Sequence, residues 1–393
     1  MRVAVASWSA RRVGGVEDYL SILLPALTRA GVEVAFWHEV DEPSDRAPIP
    51  LTSGSVSIDV SQVGVAQSIA RLRAWKPDVI YSQGVQDPAA ESQLLDVAPA
   101  ICFVHTYVGT CISGTKMFSY PQPAPCTRVF GRSCLAHYFP RGCGGNSPAT
   151  MLSLYHVQSR RLEQLRRYRS ILTHTGHMRD EMMRHGLHAT VLPFAVDMHP
   201  ARASARVDDR WRLLFAGRME RLKGGEYLLD ALPEVARRGR RSVHAVLAGD
   251  GTRRDEWQRK AREIERANTN VRVEFAGWLS QSAVSDLMND ADLLVVPSVW
   301  PEPFGSVGVA AAAQGVPAAA FDVGGISEWL KDGVSGHFAA GNPPTAVGLA
   351  DAVVRCLDDP AHFDRLRAGA RETAARFTIE RHLAGVMTEL ARV

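Results

Sequence analysis

The stretch that most limits what this chain can build runs from Leu293 to Pro317. Leu293–Val296 is an apolar run with the length and composition of a buried strand. It leads through Pro297 and Ser298 to Glu302, Pro303, Phe304 and Gly305. An alanine-rich, helix-prone stretch then reaches Gln314 and is closed by Gly315. Glu302, Phe304 and Gly305 are therefore expected on a strand-to-helix loop. In an open α/β sheet such loops stand at the carboxyl ends of strands, where ligands bind, and the exposed N–H groups of the following helix attract anions.

The same alternation recurs along the chain. Val3–Trp8 reads as a short buried strand, followed by a loop with Gly14 and Gly15 and a helix whose apolar face is Leu20, Leu23, Leu24 and Leu27. Gly31 closes that helix before a strand over Val32–Trp37. Two glycines at such a junction make a tight turn or a phosphate site. They are not the three-glycine dinucleotide fingerprint with its ribose-binding acid, which disfavours a nicotinamide-dependent dehydrogenase. Further strands are expected at Val79–Tyr81, at Ala100–Val104 with His105 at its end, and at Ile171–Thr173.

In the second half, Arg212–Ala216 is followed by Gly217, Arg218, Lys223, Gly224 and Gly225. Two cations five residues apart on a strand-to-helix loop, among glycines that let the backbone come close, suit a diphosphate: a guanidinium fork, a point charge and helix N–H groups. Strands ending at Gly249 and at Gly277–Trp278 follow, with another over Ala318–Phe321 and a final helix over Ile379–Ala391. The pattern predicts a doubly wound α/β protein in two halves. On its own that reading stops at binding of a nucleotide or a sugar phosphate.

The segment Pro297–Pro317 resembles the signature of family-four retaining glycosyltransferases of the GT-B fold: Pro-Ser, then Glu-x-Phe-Gly, a second Glu eight positions after the first, then Gly-x-Pro. Here the first Glu is Glu302 and the last element is Gly315-Val316-Pro317, but the second position is Ala310. The resemblance implies two Rossmann-like domains facing a cleft and a last helix that crosses back to the first. It implies sugar transfer from a nucleotide diphosphate donor, held mainly by the second domain, to a small-molecule or glycan acceptor. By the same resemblance the catalytic group is His105, Arg218, Lys223 and Glu302, and the donor is lined by Gly14, Gly15, Gly217, Gly249, Trp278, Phe304, Gly305, Ser306, Val307 and Ala310. The acid that usually holds the ribose is absent at Ala310. The alternatives are a donor that is not a ribonucleotide, a binding protein that does not transfer, and a phosphorylase of similar fold.

The expected boundaries are residues 1–197 for the first domain, 198–209 for a polar linker, 210–375 for the second domain and 376–393 for the returning helix. From 106 to 147 the periodicity gives way to Pro, Gly, Cys and aromatic residues, which marks an insertion directly after His105. It carries Cys111, Cys126, Cys134 and Cys143, expected as a structural Zn(II) site, with free thiols or a disulfide as alternatives. Cys102 and Cys356 read as core. No cofactor is expected for the chemistry.

A helix over Tyr155–Tyr168 carries Arg160, Arg161, Arg166 and Arg167, which suits a solvated face or at most a peripheral membrane contact. With 45 basic and 42 acidic residues the formal charge is +3, no argument for nucleic acid. The first residues read as a strand rather than a secretion signal, giving an expected cytoplasmic location. Oligomeric state is not legible.

Overall fold

The computed structural model describes residues 1–41, 46–196 and 210–393. The expected 198–209 linker lies outside them. The chain forms two compact units.

The first unit comprises residues 1–116, 127–197 and 377–393. Its strands are β1 (Arg2–Ser9), β2 (Glu33–Val40), β3 (Val56–Asp59), β4 (Val79–Ser82) and β5 (Ala100–Val104). After a two-stranded antiparallel hairpin, β6 (Met117–Phe118) and β7 (Ala124–Pro125), come β8 (Ser170–Thr173) and β9 (Thr190–Val191). The sheet order is β3-β2-β1-β4-β5-β8-β9, with all its pairs parallel. Val3–Ala6 and all of β5 are buried, as a parallel sheet covered on both faces requires. The Gly15–Arg29 helix buries the expected Leu20, Leu23, Leu24 and Leu27.

The Ile379–Leu390 helix belongs to this unit. Its His382 accepts from the Tyr19 hydroxyl at 2.6 Å and donates from Nδ1 to the Pro193 carbonyl at 2.7 Å. Ser170 donates to Glu389 at 3.1 Å.

The second unit comprises residues 117–126 and 198–376. It carries β10 (Trp211–Ala216), β11 (Val243–Ala248), β12 (Val271–Gly277), β13 (Leu293–Val296), β14 (Ala318–Phe321) and β15 (Gly336–Ala339). The order is β12-β11-β10-β13-β14-β15, again parallel. The chain winds outward from β10 in one direction, then restarts at β13 on its other side. That reversal separates the loops after β10 and β13 and opens a crevice at the carboxyl ends of the two strands.

The insertion departs from expectation in three ways. Residues 117–126 group with the second unit, so the 106–147 stretch is not wholly part of the first domain. The remainder builds a small core of Ile112, Phe130 and Tyr138, packed by Leu135, Met151, Leu154 and Tyr155. The adjoining helix begins at Pro148, seven residues before the expected Tyr155, because Ser147 caps it and proline suits a first helical position.

The four cysteines expected as a zinc site are not brought together as a ligand group among the described residues. Among the described residues no three His, Cys, Asp or Glu side chains form a group that could hold a metal, and no disulfide joins any of the six cysteines. The sulfurs serve packing and local hydrogen bonds instead. Cys134 and Cys143 lie against the small core, Cys111 accepts from the Lys116 amide at 3.3 Å, and Cys126 falls in the 117–126 segment.

The insertion is held to the Gly176–Arg184 helix of the first unit by a buried ion pair. Lys116 and Glu181 are 2% and 0% exposed. The ammonium donates to Glu181 Oε1, to the Arg128 carbonyl at 2.6 Å and to the Thr110 carbonyl at 3.4 Å. Removing one partner of such a pair strands a charge in low dielectric. Glu181→Ala is expected to cost about 3–5 kcal/mol, read as a lowered midpoint of thermal unfolding, with Lys116→Met/Glu181→Leu recovering much of the loss.

Candidate active site

The second unit places the side chains expected to hold a ligand, Arg218, Lys223 and Glu302, on the two loops that flank the strand-order reversal. After β10 the chain passes Gly217 and Arg218, makes a 3₁₀ turn over Arg221–Lys223, and enters the Gly225–Gly239 helix. Gly224 joins turn to helix at φ +65°, and a Cβ there would stand 1.9 Å from the Pro297 carbonyl oxygen. Only glycine lets this loop approach the one that follows β13. Gly249, at the end of β11, is similarly tight: its Cβ would lie 1.9 Å from the Gly217 carbonyl oxygen.

That close approach brings Lys223 to Glu302. Lys223 Nζ donates to Glu302 Oε1 at 2.5 Å, and Ser298 Oγ donates to the same oxygen at 2.6 Å. Glu302 is 5% exposed. Burial alone would raise its carboxyl, but the Lys223 ammonium and the hydrogen bonds from Lys223 and Ser298 outweigh it and hold the group below its ordinary value. Glu302 is thus a fixed anion that accepts hydrogen bonds. Its main chain is fixed as well, the carbonyl accepting from the Gly325 amide at 2.6 Å.

Other expected donor residues have distinct surroundings. Phe304 is buried, and its carbonyl accepts from the Trp329 indole at 2.6 Å, so it braces the loop from inside. Ser306, Val307 and Ala310 share the half-buried face of the Ser306–Ala313 helix, while Gly308, Val309, Ala311 and Ala312 face the core. That face carries no carboxylate. Trp278, after β12, is 44% exposed. Arg218 lies on the same loop as Lys223, and its charge helps hold Glu220 low, behind the Thr252 hydroxyl hydrogen bond that dominates there.

In the first unit, His105 follows β5 and its Nε2 donates to Gln83 Oε1 at 2.8 Å. Sequence reasoning missed the company it keeps. His174 lies 4.7 Å from it by ring centroid, Phe103 5.0 Å and Tyr19 5.9 Å, and His382 closes the cluster through Tyr19. His174 ends β8 just as His105 ends β5, a signal that could have been read. Gly14 and Gly15 open the helix that carries Tyr19. Glu17 on its first turn is buried, which pushes its carboxyl up to about 7.

Burial depresses the imidazoles. His105 falls from 6.5 to about 3, with His382 contributing, His382 falls to about 4, and His174 lies well below its ordinary value. The folded unit keeps the rings neutral, while the unfolded chain takes up protons below 6.5. Their contribution is therefore full above 6.5 and is lost as pH falls toward 4 and 3. Thermal unfolding followed across that window is expected to show falling stability, with a shallower slope in His382→Gln.

Residues 210–359 match the Glycosyl transferases group 1 family. Over 424 aligned residues the chain is 27% identical to glycogen synthase of Mycobacterium tuberculosis (strain CDC 1551 / Oshkosh), covering 95% of this chain and 90% of that protein. It is 32% identical over 202 residues to alpha-D-kanosaminyltransferase of Streptomyces kanamyceticus, about half of each chain (49% and 50%). Among solved structures, Anabaena HepE in complex with UDP and glucose superposes with a TM-score of 0.71 at 19% identity, covering all of both chains. Sucrose-phosphate synthase from Thermosynechococcus elongatus gives 0.73 at 20% identity, over 100% of this chain and 98% of that one. Residues 210–359 thus match the glycosyl transferases group 1 family, in a chain whose two parallel sheets have the GT-B fold.

Proposed function

We propose that the protein is a retaining hexosyltransferase that moves a hexose-type sugar from a nucleotide diphosphate to a hydroxyl of a small-molecule or glycan acceptor. The observation that carries this reading is the Lys223–Glu302 pair at the strand-order reversal, beside Gly217 and Arg218, within a glycosyl transferases group 1 domain. HepE, solved with UDP and glucose, supports a nucleotide donor by likeness of fold.

In this reading the second unit holds the donor. The bond between the anomeric carbon and the diphosphate oxygen breaks as the bond from the acceptor oxygen forms on the same face. The acceptor proton passes to the leaving diphosphate. Arg218 and Lys223 stabilise the charge that develops on that group, and preorganised charge of this kind is usually the largest catalytic contribution. Glu302 accepts hydrogen bonds from sugar hydroxyls and orients the anomeric carbon. With Lys223 bound to it, the carboxylate stays ionised and serves as a positioning anion rather than a nucleophile. His105, Gly14 and Gly15 contribute from the first unit, which takes the acceptor. The protein acts in the cytoplasm and needs no metal for transfer.

The carboxylate-free Ser306–Val307–Ala310 face favours one second reading, a sugar phosphate or deoxynucleotide-linked donor. A carboxylate binding ribose hydroxyls contributes about 1.5–3 kcal/mol per hydrogen bond, and this face offers none.

Calorimetry with UDP, GDP, dTDP and glucose 1-phosphate separates the two readings. The first expects a ribonucleotide diphosphate to bind, and glucose 1-phosphate binding alone would overturn it. Arg218→Ala and Lys223→Ala are expected to lower kcat by about 10²–10³-fold. Glu302→Gln is expected to weaken nucleotide binding little and to reduce transfer of the sugar strongly, measured as kcat/KM with the donor the calorimetry identifies.

A further inference from the structure

Between Asp96 and Glu163 the chain runs for 66 residues without one Asp or Glu. With 42 acidic residues in 393, a stretch of that length would ordinarily hold about seven. It carries six basic residues: Lys116, Arg128, Arg132, Arg141, Arg160 and Arg161. The rest of the chain then has 39 basic against 42 acidic residues, so the formal excess of positive charge in the whole protein arises here.

Two of the six are committed inside the fold. Lys116 is buried on Glu181, and Arg161 donates to the Val85 carbonyl at 2.8 Å and to that of Gln86. Arg128, Arg132, Arg141 and Arg160 are exposed. Interleaved with them along the chain are large apolar side chains that also face water: Val129 at 48% exposed, Phe139 at 44% and Leu152 at 56%. Val129 and Phe139 are chain neighbours of the core residues Phe130 and Tyr138, and Leu152 follows Met151, which packs on that core. The lobe thus has apolar groups inside and outside. An ordinary solvated lobe carries both signs of charge and few exposed aromatics.

We propose that this acid-free lobe, residues 127–160 of the first unit, is a docking surface for an anionic phospholipid bilayer. The arginines lie at the level of the lipid phosphates, and Phe139, Val129 and Leu152 enter the boundary of the acyl chains. A soluble polyanion would engage the arginines and leave the apolar side chains in water. An apolar protein groove would cover those side chains but would not require every acid to be absent. A bilayer with anionic headgroups uses both features. The lobe is a fixed platform: Lys116–Glu181 anchors its entry, and the Phe130 amide donates to His185 Nε2 at 2.9 Å. No helix among the described residues is long and apolar enough to cross a membrane, so the contact lies on the surface. This inference does not rest on the transferase reading.

The test is co-sedimentation of the purified full chain with extruded vesicles of phosphatidylcholine alone or with about 30 mol% phosphatidylglycerol, near physiological salt. Expected are sedimentation with the anionic vesicles only and release at about 1 M salt, where charges are screened. Arg128→Glu/Arg132→Glu/Arg141→Glu is expected to lose at least about 100-fold in partitioning. Phe139→Ser/Leu152→Ser should lose several-fold with the charge unchanged. Arg262→Glu/Arg266→Glu, on the Arg254–Ala267 helix of the second unit, should retain binding. Unchanged thermal unfolding certifies each variant, and the matching Arg→Gln set replaces any that fails to fold. Failure of the wild type to bind anionic vesicles, equal binding to neutral ones, or undiminished binding by the folded triple variant would each overturn the proposal.

Discussion

A carboxylate removed from water must be paired, and the second unit is arranged around meeting that demand for Glu302. Its partner comes from 79 residues earlier in the chain, so the pair forms only if β10 and β13 lie side by side and their loops meet. The reversal of strand order supplies the first condition. Gly224 supplies the second, since any side chain there would strike the Pro297 carbonyl. Ser298 and the Gly325 amide then hold the acid and its backbone in place. The result is an anion and a cation held in fixed positions by the fold itself.

Lys223 and Glu302 were each legible as strand-to-helix loop residues, because glycines and prolines mark such a loop whatever surrounds it. Their contact was not legible, since periodicity carries no information about which strands become neighbours. The same divide runs through the first unit. Leu20, Leu23, Leu24 and Leu27 announce a helix face by spacing alone. The cluster of His105 with Tyr19 and His174 is assembled from three separate elements, and no local window contains it.

The cysteines show how one compositional signal admits two readings. Four thiols within 33 residues suggested a metal, but thiols are also small apolar groups that pack well. Cys134 and Cys143 are used in that second way. The Ser133–Tyr138 helix beside them spans six residues, too short to impose a readable period. What organises the insertion is Lys116, an unremarked residue in the sequence whose value depends on a glutamate 65 positions away.

The Ile379–Leu390 helix has a consequence for the order in which the protein is made. The Tyr19–His382 hydrogen bond spans 363 residues, and the segment supplying His382 follows the whole 198–376 stretch. On the ribosome, the first unit must wait for the partner of Tyr19 on its last helix while nearly all of the second unit is synthesised. The later half can therefore reach its native contacts before the earlier half is complete, the reverse of the usual N-terminal-first sequence. During that interval the apolar surface beside Tyr19, Phe103 and Phe194 lacks the cover that His382 of the last helix supplies.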